Sequence, residues 1–164
     1  YGEVRPDFSR LSGVIDLLAL EHGGRALSCS DEHYGSMHNL NVAGRGVNMG
    51  DGWETARRRG PGNDWVVLAL GHTGTVESVE VDTAHFKGNY PDRVALDGLL
   101  ATDDQSPLYD DDRWQPLLPE SKLEMDKQHT FSTELLAPGS ISHVRMSIFP
   151  DGGISRLRLF GHAD

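Results

Sequence analysis

The segment from Gly50 to Trp65 reads Gly-Asp-Gly-Trp-Glu-Thr-Ala-Arg-Arg-Arg-Gly-Pro-Gly-Asn-Asp-Trp. Its residue types suit the capture of a small polar anion. The planar fork of Arg57, Arg58 or Arg59 matches a carboxylate or a ureido oxygen, and Asp51 and Glu54 can accept N–H donors beside it. Glycine and proline on both sides bend the chain, so the segment reads as a loop rather than a strand or helix. The plain alternative is a surface turn in which Trp53 and Trp65 plug the end of a sheet and the arginines are solvated.

Three further clusters carry titratable groups. Ser30-Asp31-Glu32-His33-Tyr34-Gly35, followed by His38 and Asn39, offers carboxylates and an imidazole for acid–base work near neutral pH. Asp82-Thr83-Ala84-His85-Phe86-Lys87-Gly88-Asn89-Tyr90-Pro91 places five kinds of polar group at the end of a strand. Phe149-Pro150-Asp151-Gly152-Gly153 has the composition of a tight hairpin turn. No Ser-His-Asp arrangement, phosphate loop, dinucleotide fingerprint, HExxH or CxxC pattern occurs.

These clusters need a frame. Apolar spacing at Leu11, Ile15, Leu17, Leu18 and Leu20, closed by Gly23-Gly24, predicts one helix near the start. After it come short strands: Arg25 to Ser30, Trp65 to Leu70, Thr75 to Asp82 beyond the turn Gly71–Gly74, Val94 to Leu100, Trp114 to Leu118, Thr130 to Leu136, Ile141 to Phe149 and Ile154 to Phe160. Strands of this length and spacing predict an all-β antiparallel sandwich or jelly roll. Thr102 to Arg113, with Asp103, Asp104, Asp110, Asp111 and Asp112, reads as an exposed acidic loop whose oxygens a cation could use. Pro119 to Gln128 reads as a loop with one helical turn.

The chain has 164 residues, 37% hydrophobic and 24% charged, as expected of one globular domain. A formal net charge of -10 argues against a nucleic-acid partner. No run approaches the roughly 18 apolar residues needed to span a bilayer, and neither a leader-like pattern nor a lipidation motif stands out. The single cysteine, Cys29, rules out an internal disulfide, reads as a small core residue and points to a reducing compartment, so the expected location is the cytoplasm.

The order of the strands resembles the galactose-binding-like jelly roll. More specifically, Asp31-Glu32, Met49-Gly50-Asp51-Gly52-Trp53-Glu54-Thr55, Arg57-Arg58-Arg59-Gly60-Pro61-Gly62, Asp64-Trp65, Val81-Asp82-Thr83, His85-Phe86-Lys87-Gly88-Asn89-Tyr90-Pro91, His143-Val144-Arg145 and Pro150-Asp151-Gly152-Gly153, in that order, resemble the allantoicase family. The match runs from about Asp16 to Gly161 and is closer to the second of the family's two tandem modules. It implies an N-terminal segment and helix over residues 1–24 packed on a jelly-roll domain over residues 25–164. It further implies a hydrolase of carbon–nitrogen bonds in linear amidines, converting allantoate to ureidoglycolate and urea in purine and allantoin degradation. Ala56, where a basic residue commonly follows the Thr, and Asn63, where His commonly precedes Asp-Trp, depart from the pattern.

From the matching segments, Glu32, Glu54, Asp82 and His85 are the candidate catalytic groups. Asp31, Asn39, Asp51, Trp53, Arg57, Arg58, Asp64, Lys87 and Asn89 are the candidate substrate contacts. Arg57 or Arg58 is expected to take the substrate carboxylate and Arg59 to be solvated. The neighbouring arginines are expected to lower the Glu54 pKa, and His85 to protonate departing urea. The residues require no cofactor; Mn²⁺ is the divalent metal to test. The expected partners are a small anionic ureido substrate and a second module, in a homo-oligomer or a tandem pair. The competing reading is a non-catalytic jelly-roll module that binds a ligand or a partner repeat.

Overall fold

The computed structural model describes residues 13–102 and 106–164. Leu11, Asp103 and Asp104 lie outside them. The two strands expected around Gly71–Gly74 form one long bent strand, β4 (Asp64–Asp82). The bend needs a glycine, because a side chain at Gly71 would meet the His22 carbonyl oxygen at 2.0 Å.

Each half of β4 serves a different layer. The first half pairs with β2 (Arg25–Cys29) and β8 (Ile141–Phe149). Strand β8 pairs in turn with β5 (Arg93–Leu99), and β5 with β6 (Gln115–Lys122). The second half pairs with β7 (Gln128–Phe131) and β10 (Arg156–Ala163), and β10 with β1 (Ile15–Asp16). All of these pairings are antiparallel. Alternation sends Val66, Leu68, Val144, Met146 and Ile148 inward from one layer, and Val79, Val81, Leu157 and Leu159 from the other. The all-β sandwich expected from the sequence is present.

Both ends of β4 lie at the same end of the sandwich. The Asp64 N–H donates to the Pro150 carbonyl (3.1 Å), and the Ser155 N–H donates to the Asp82 carbonyl (2.7 Å). The connection from Pro150 to Ser155 therefore crosses between the layers rather than turning a hairpin. It contains β9 (Gly153–Ile154), which pairs with β3 (Trp53–Glu54) and so lays the arginine loop across that end.

Several boundaries differ from the sequence reading. The N-terminal helix is a single 3-10 turn, Leu20–His22, closed by Gly23 at φ 97°. The residues before it join the sheet through β1, and the Leu17 N–H donates to the Leu159 carbonyl at 2.7 Å. Leu17 and Leu18 are adjacent and both fully buried, which one face of an amphipathic helix on a surface does not provide. Strand β6 runs to Lys122, into the stretch expected to be a loop. Strand β7 ends at Phe131, short of the expected Leu136. The acidic loop does more than solvate: the Tyr109 ring stacks on Trp65 with centroids 4.2 Å apart, and Arg145 lies over Trp114. Cys29 is half-buried against the core, and burial pushes its thiol up to about 11, with Glu32 adding to the effect. Among the described residues, no helix is long and apolar enough to cross a membrane.

Candidate active site

Trp53 anchors the arginine loop. Its ring is buried, and its indole N–H donates to the Asp31 carbonyl at 2.9 Å. One residue past β3, Thr55 grips the crossover twice: its N–H donates to the Gly152 carbonyl (3.1 Å), and its hydroxyl accepts from the Gly152 N–H (3.0 Å). Asp31 Oδ2 accepts from the Ala56 N–H at 2.7 Å, and Asp151 Oδ2 accepts from the Arg58 N–H at 2.8 Å. Backbone groups that an irregular loop would leave to water are thus tied down one after another.

These ties enclose an open cavity of about 530 Å³ walled by Tyr34, Glu54, Arg57, Arg58, Asn89 and Asp151, with Thr55, Tyr90 and Asp92 around them. The Asn89 amide donates to Glu54 Oε2. Burial pushes the Glu54 pKa above the ordinary carboxylate range, and the Asn89 hydrogen bond opposes the rise only in part. This reverses the expected lowering by nearby arginines. Burial and the Asn89 bond are the causes acting on it; Arg58 is paired with a different carboxylate.

That carboxylate is Asp64, which is 1% exposed. Arg58 Nη1 donates to its Oδ1 at 3.0 Å, and Nη2 donates to the Pro61 carbonyl at 3.3 Å. Arg57 differs: it is exposed, lines the cavity, and its guanidinium makes no hydrogen bond or ion pair among the described residues. The wall therefore presents one committed and one uncommitted guanidinium. Such a site can take a carboxylate on Arg57 and exchange a proton at Glu54.

Of the residues singled out from the sequence, the structure brings Glu54, Arg57, Arg58 and Asn89 together on this cavity. The others are built into its surroundings. Asp82 is fully buried in a two-point pair with Arg45 (2.9 and 3.0 Å) and also accepts from the Ala84 N–H. His85 donates its N–H to Asp126, and its ring Nε2 meets the Gly46 carbonyl at 2.7 Å. Glu32 accepts from the Met37 N–H, and Asn39 donates to the Gly52 carbonyl. Asp51 accepts from Arg156 and from the Val47 N–H. Trp53, Asp31 and Asp64 build the loop from behind, and Lys87 is exposed outside the cavity lining. Asn63 donates its amide to the Asp64 carbonyl at 3.0 Å and stays out of the lining.

Tyr34, Tyr90 and Asp151 are lining residues that the sequence reading did not select. The tyrosines sat inside recognised clusters without a pattern to distinguish them, and Asp151 was hidden by its turn-like neighbours. Among the described residues, no group of three or more His, Cys, Asp or Glu side chains is placed to hold a metal ion.

Comparison with known proteins points one way. The family model described as Allantoicase repeat matches residues 15–164. A protein of Pseudomonas syringae pv. syringae named as a probable allantoicase is 55% identical over 98% of this chain and 50% of its own length. One from Pseudomonas fluorescens with the same name is 57% identical over the same shares. The crystal structure of allantoicase from Saccharomyces cerevisiae superposes with a TM-score of 0.80 at 41% identity, covering 91% of this chain and 43% of that one. A galactose-bound family 32 carbohydrate-binding module from C. perfringens shares the fold alone, with a TM-score of 0.61 at 12% identity over 88% of this chain and 98% of the module. The chain spans about half the length of the curated relatives it matches.

Proposed function

The chain belongs to the allantoicase family, and from that premise we propose that it is one repeat of a hydrolase that converts allantoate and water into ureidoglycolate and urea. The observation that carries the proposal is the pairing, on one cavity wall, of an uncommitted guanidinium at Arg57 with a carboxyl of raised pKa at Glu54. Arg57 takes the substrate carboxylate in a charge-assisted contact. A ureido arm then lies toward Glu54 and Asn89.

The reaction breaks the bond between the central carbon and one ureido nitrogen. Glu54, holding its proton to higher pH than an ordinary carboxyl, gives that proton to the departing nitrogen, which leaves as urea. Water adds its oxygen to the central carbon and returns a proton to Glu54, so the group ends as it began. Asn89 fixes the Glu54 carboxyl through its amide hydrogen bond. The Arg58 backbone, pinned by Asp151, keeps Arg57 facing the cavity. His85 has no part in this scheme, since it lies outside the cavity lining, with its ring Nε2 against the Gly46 carbonyl.

A second module, as a tandem repeat or a second copy, completes the enzyme in this proposal. The half-length match to the relatives supports it. The lone Cys29 supports a reducing, cytoplasmic setting. The test is to incubate the purified chain, alone and mixed with a second module, with allantoate and to assay urea, with Mn²⁺ and with a chelator. Release of urea that Glu54→Gln abolishes is the expected result. Undiminished release from both Glu54→Gln and Arg57→Ala overturns the assignment.

A further inference from the structure

Arg57 and Arg58 form a ridge with a hollow on each side. The cavity of Glu54 is one. The other, about 280 Å³, is lined by Ser30, Asp31, Arg58, Gly60 and Asp64, together with Ala56 and the remaining arginines. Two of its lining residues, Arg58 and Asp64, each carry a buried polar atom without a hydrogen-bond partner among the described residues. Asp64 is almost wholly buried; its Oδ1 accepts from Ser30 (2.9 Å) and Arg58 (3.0 Å), but its Oδ2 has no partner. Arg58 Nε is buried and also without one. Buried polar groups are almost always satisfied, so an idle N–H and an idle carboxylate oxygen on two residues lining one hollow mark a place prepared for a ligand.

Charge narrows the ligand. Asp31 and Asp64 disfavour an anion there, and Arg57, Arg58 and Arg59 disfavour a cation. What remains is a neutral group with donor and acceptor on one planar edge, which is an amide or a ureido group. Arg58 is 32% exposed, so its side chain has room to yield as such a group enters.

We infer that this second hollow seats a ureido group: resting on the proposed function, Arg57 on the ridge takes the carboxylate of allantoate, the Glu54 cavity takes the arm that leaves, and the Asp64 hollow takes the arm that stays. The arms of allantoate are chemically identical, and two unlike hollows make them inequivalent. The site thereby selects a carboxylate flanked by two ureido arms over a carboxylate with one.

The test compares binding of allantoate and of N-carbamoylglycine, which has one ureido arm, to the purified chain by calorimetry. Allantoate is expected to bind at least about tenfold more tightly, the value of hydrogen bonds to charged groups. Gly60→Phe fills the second hollow from a position where an added Cβ meets nothing within 4 Å. It should bring allantoate to within about threefold of N-carbamoylglycine and leave the latter unchanged. Asp64→Asn should do the same, provided thermal unfolding shows it folded; Gly60→Phe decides if it is not. A preference that survives Gly60→Phe, or no preference in the parent, overturns the inference. If the parent binds neither ligand, or Arg57→Ala leaves N-carbamoylglycine binding intact, the ridge assignment fails and the two-arm inference fails with it.

Discussion

Asn89 donates its side-chain amide to Glu54 Oε2 across 35 positions of sequence. The contact exists because Gly153 serves two partners at once. Its N–H donates to the Asn89 carbonyl at 2.8 Å, while the residue pairs with Glu54 in the small β3–β9 ladder. One glycine on the crossover therefore registers a carboxyl from one loop against an amide from another.

That relationship makes Glu54 titration a sensitive readout. Burial raises its pKa from the usual 4.5, and the Asn89 bond is the cause acting downward. A carboxyl whose folded pKa is raised contributes stability fully present below about 4.5 and lost as pH rises through the folded pKa. Glu54→Gln keeps an oxygen for Asn89 and removes that loss. The variant should melt at a higher temperature than the parent at pH 7, and the gap should close below about pH 4. Asn89→Ala should move the Glu54 titration further upward in carbon-detected NMR. A Glu54 that titrates at or below the ordinary carboxyl value would sink both expectations.

The adjacent arginines should separate by the kind of damage each substitution does. Arg57 pairs with nothing among the described residues, so Arg57→Ala should weaken allantoate binding roughly tenfold to a hundredfold, equivalent to about 1.5–3 kcal/mol, with the melting temperature unchanged. Arg58 covers a buried carboxylate, so Arg58→Ala leaves Asp64 without its cation, held by Ser30 alone, and should cost about 3 kcal/mol of stability. Calorimetric binding and denaturant unfolding on the two variants check this. Equal stability losses would show that the two side chains are not divided as described.

The sheet was legible because alternation is a direct physical signal. Val144, Met146 and Ile148 could face only one way, and β8 has the expected bounds. The N-terminal helix was misjudged because leucine spacing alone does not distinguish a helix from a sheet edge followed by a 3-10 turn. Glu54, Arg57, Arg58 and Asn89 share one cavity because the two polar segments that hold them, both rich in turn residues, meet at one end of the sandwich. Asp82 shares their chemistry but is consumed by Arg45, a partner 37 residues away that nothing in the local sequence announces. The pKa direction at Glu54 failed for the same reason: sequence shows neighbouring charges and not the pairings that occupy them.

Gly152-Gly153 reads as turn composition, yet Gly153 is required for packing. A Cβ there would lie 2.1–2.5 Å from three atoms of the buried Phe86 ring. Gly153→Ala should therefore cost about 2 kcal/mol or more through overpacking. It should also loosen the Glu54–Asn89 contact, since the displaced backbone carries the bond to Asn89. Adding Phe86→Leu should recover part of the stability. Unfolding curves of the single and double variants test this, and a Gly153→Ala protein as stable as the parent would refute the packing role.

His85 is the residue on which sequence and structure part most sharply. An imidazole at the end of a strand in a family-specific motif invites a catalytic role. In the structure it sits at φ 73°, a conformation that L residues adopt at a cost. Its N–H is fixed by Asp126, and its ring is bound to the Gly46 carbonyl, on the loop that Arg45 secures to Asp82. The ring thus holds the Gly46 loop to the strand end and does not line the cavity. His85→Ala loses that tie and keeps the backbone strain, so it should lower stability by about 1–2 kcal/mol. Turnover per folded molecule should stay within about twofold of the parent, because an interaction absent from the reacting site does not change in the transition state. His85→Asn should recover part of the stability, since Asn tolerates the left-handed conformation better than Ala. Urea release normalised to folded protein, measured beside thermal unfolding, decides the matter. A turnover loss of a hundredfold or more in a fully folded His85→Ala protein would return the imidazole to the mechanism and take the proton from Glu54.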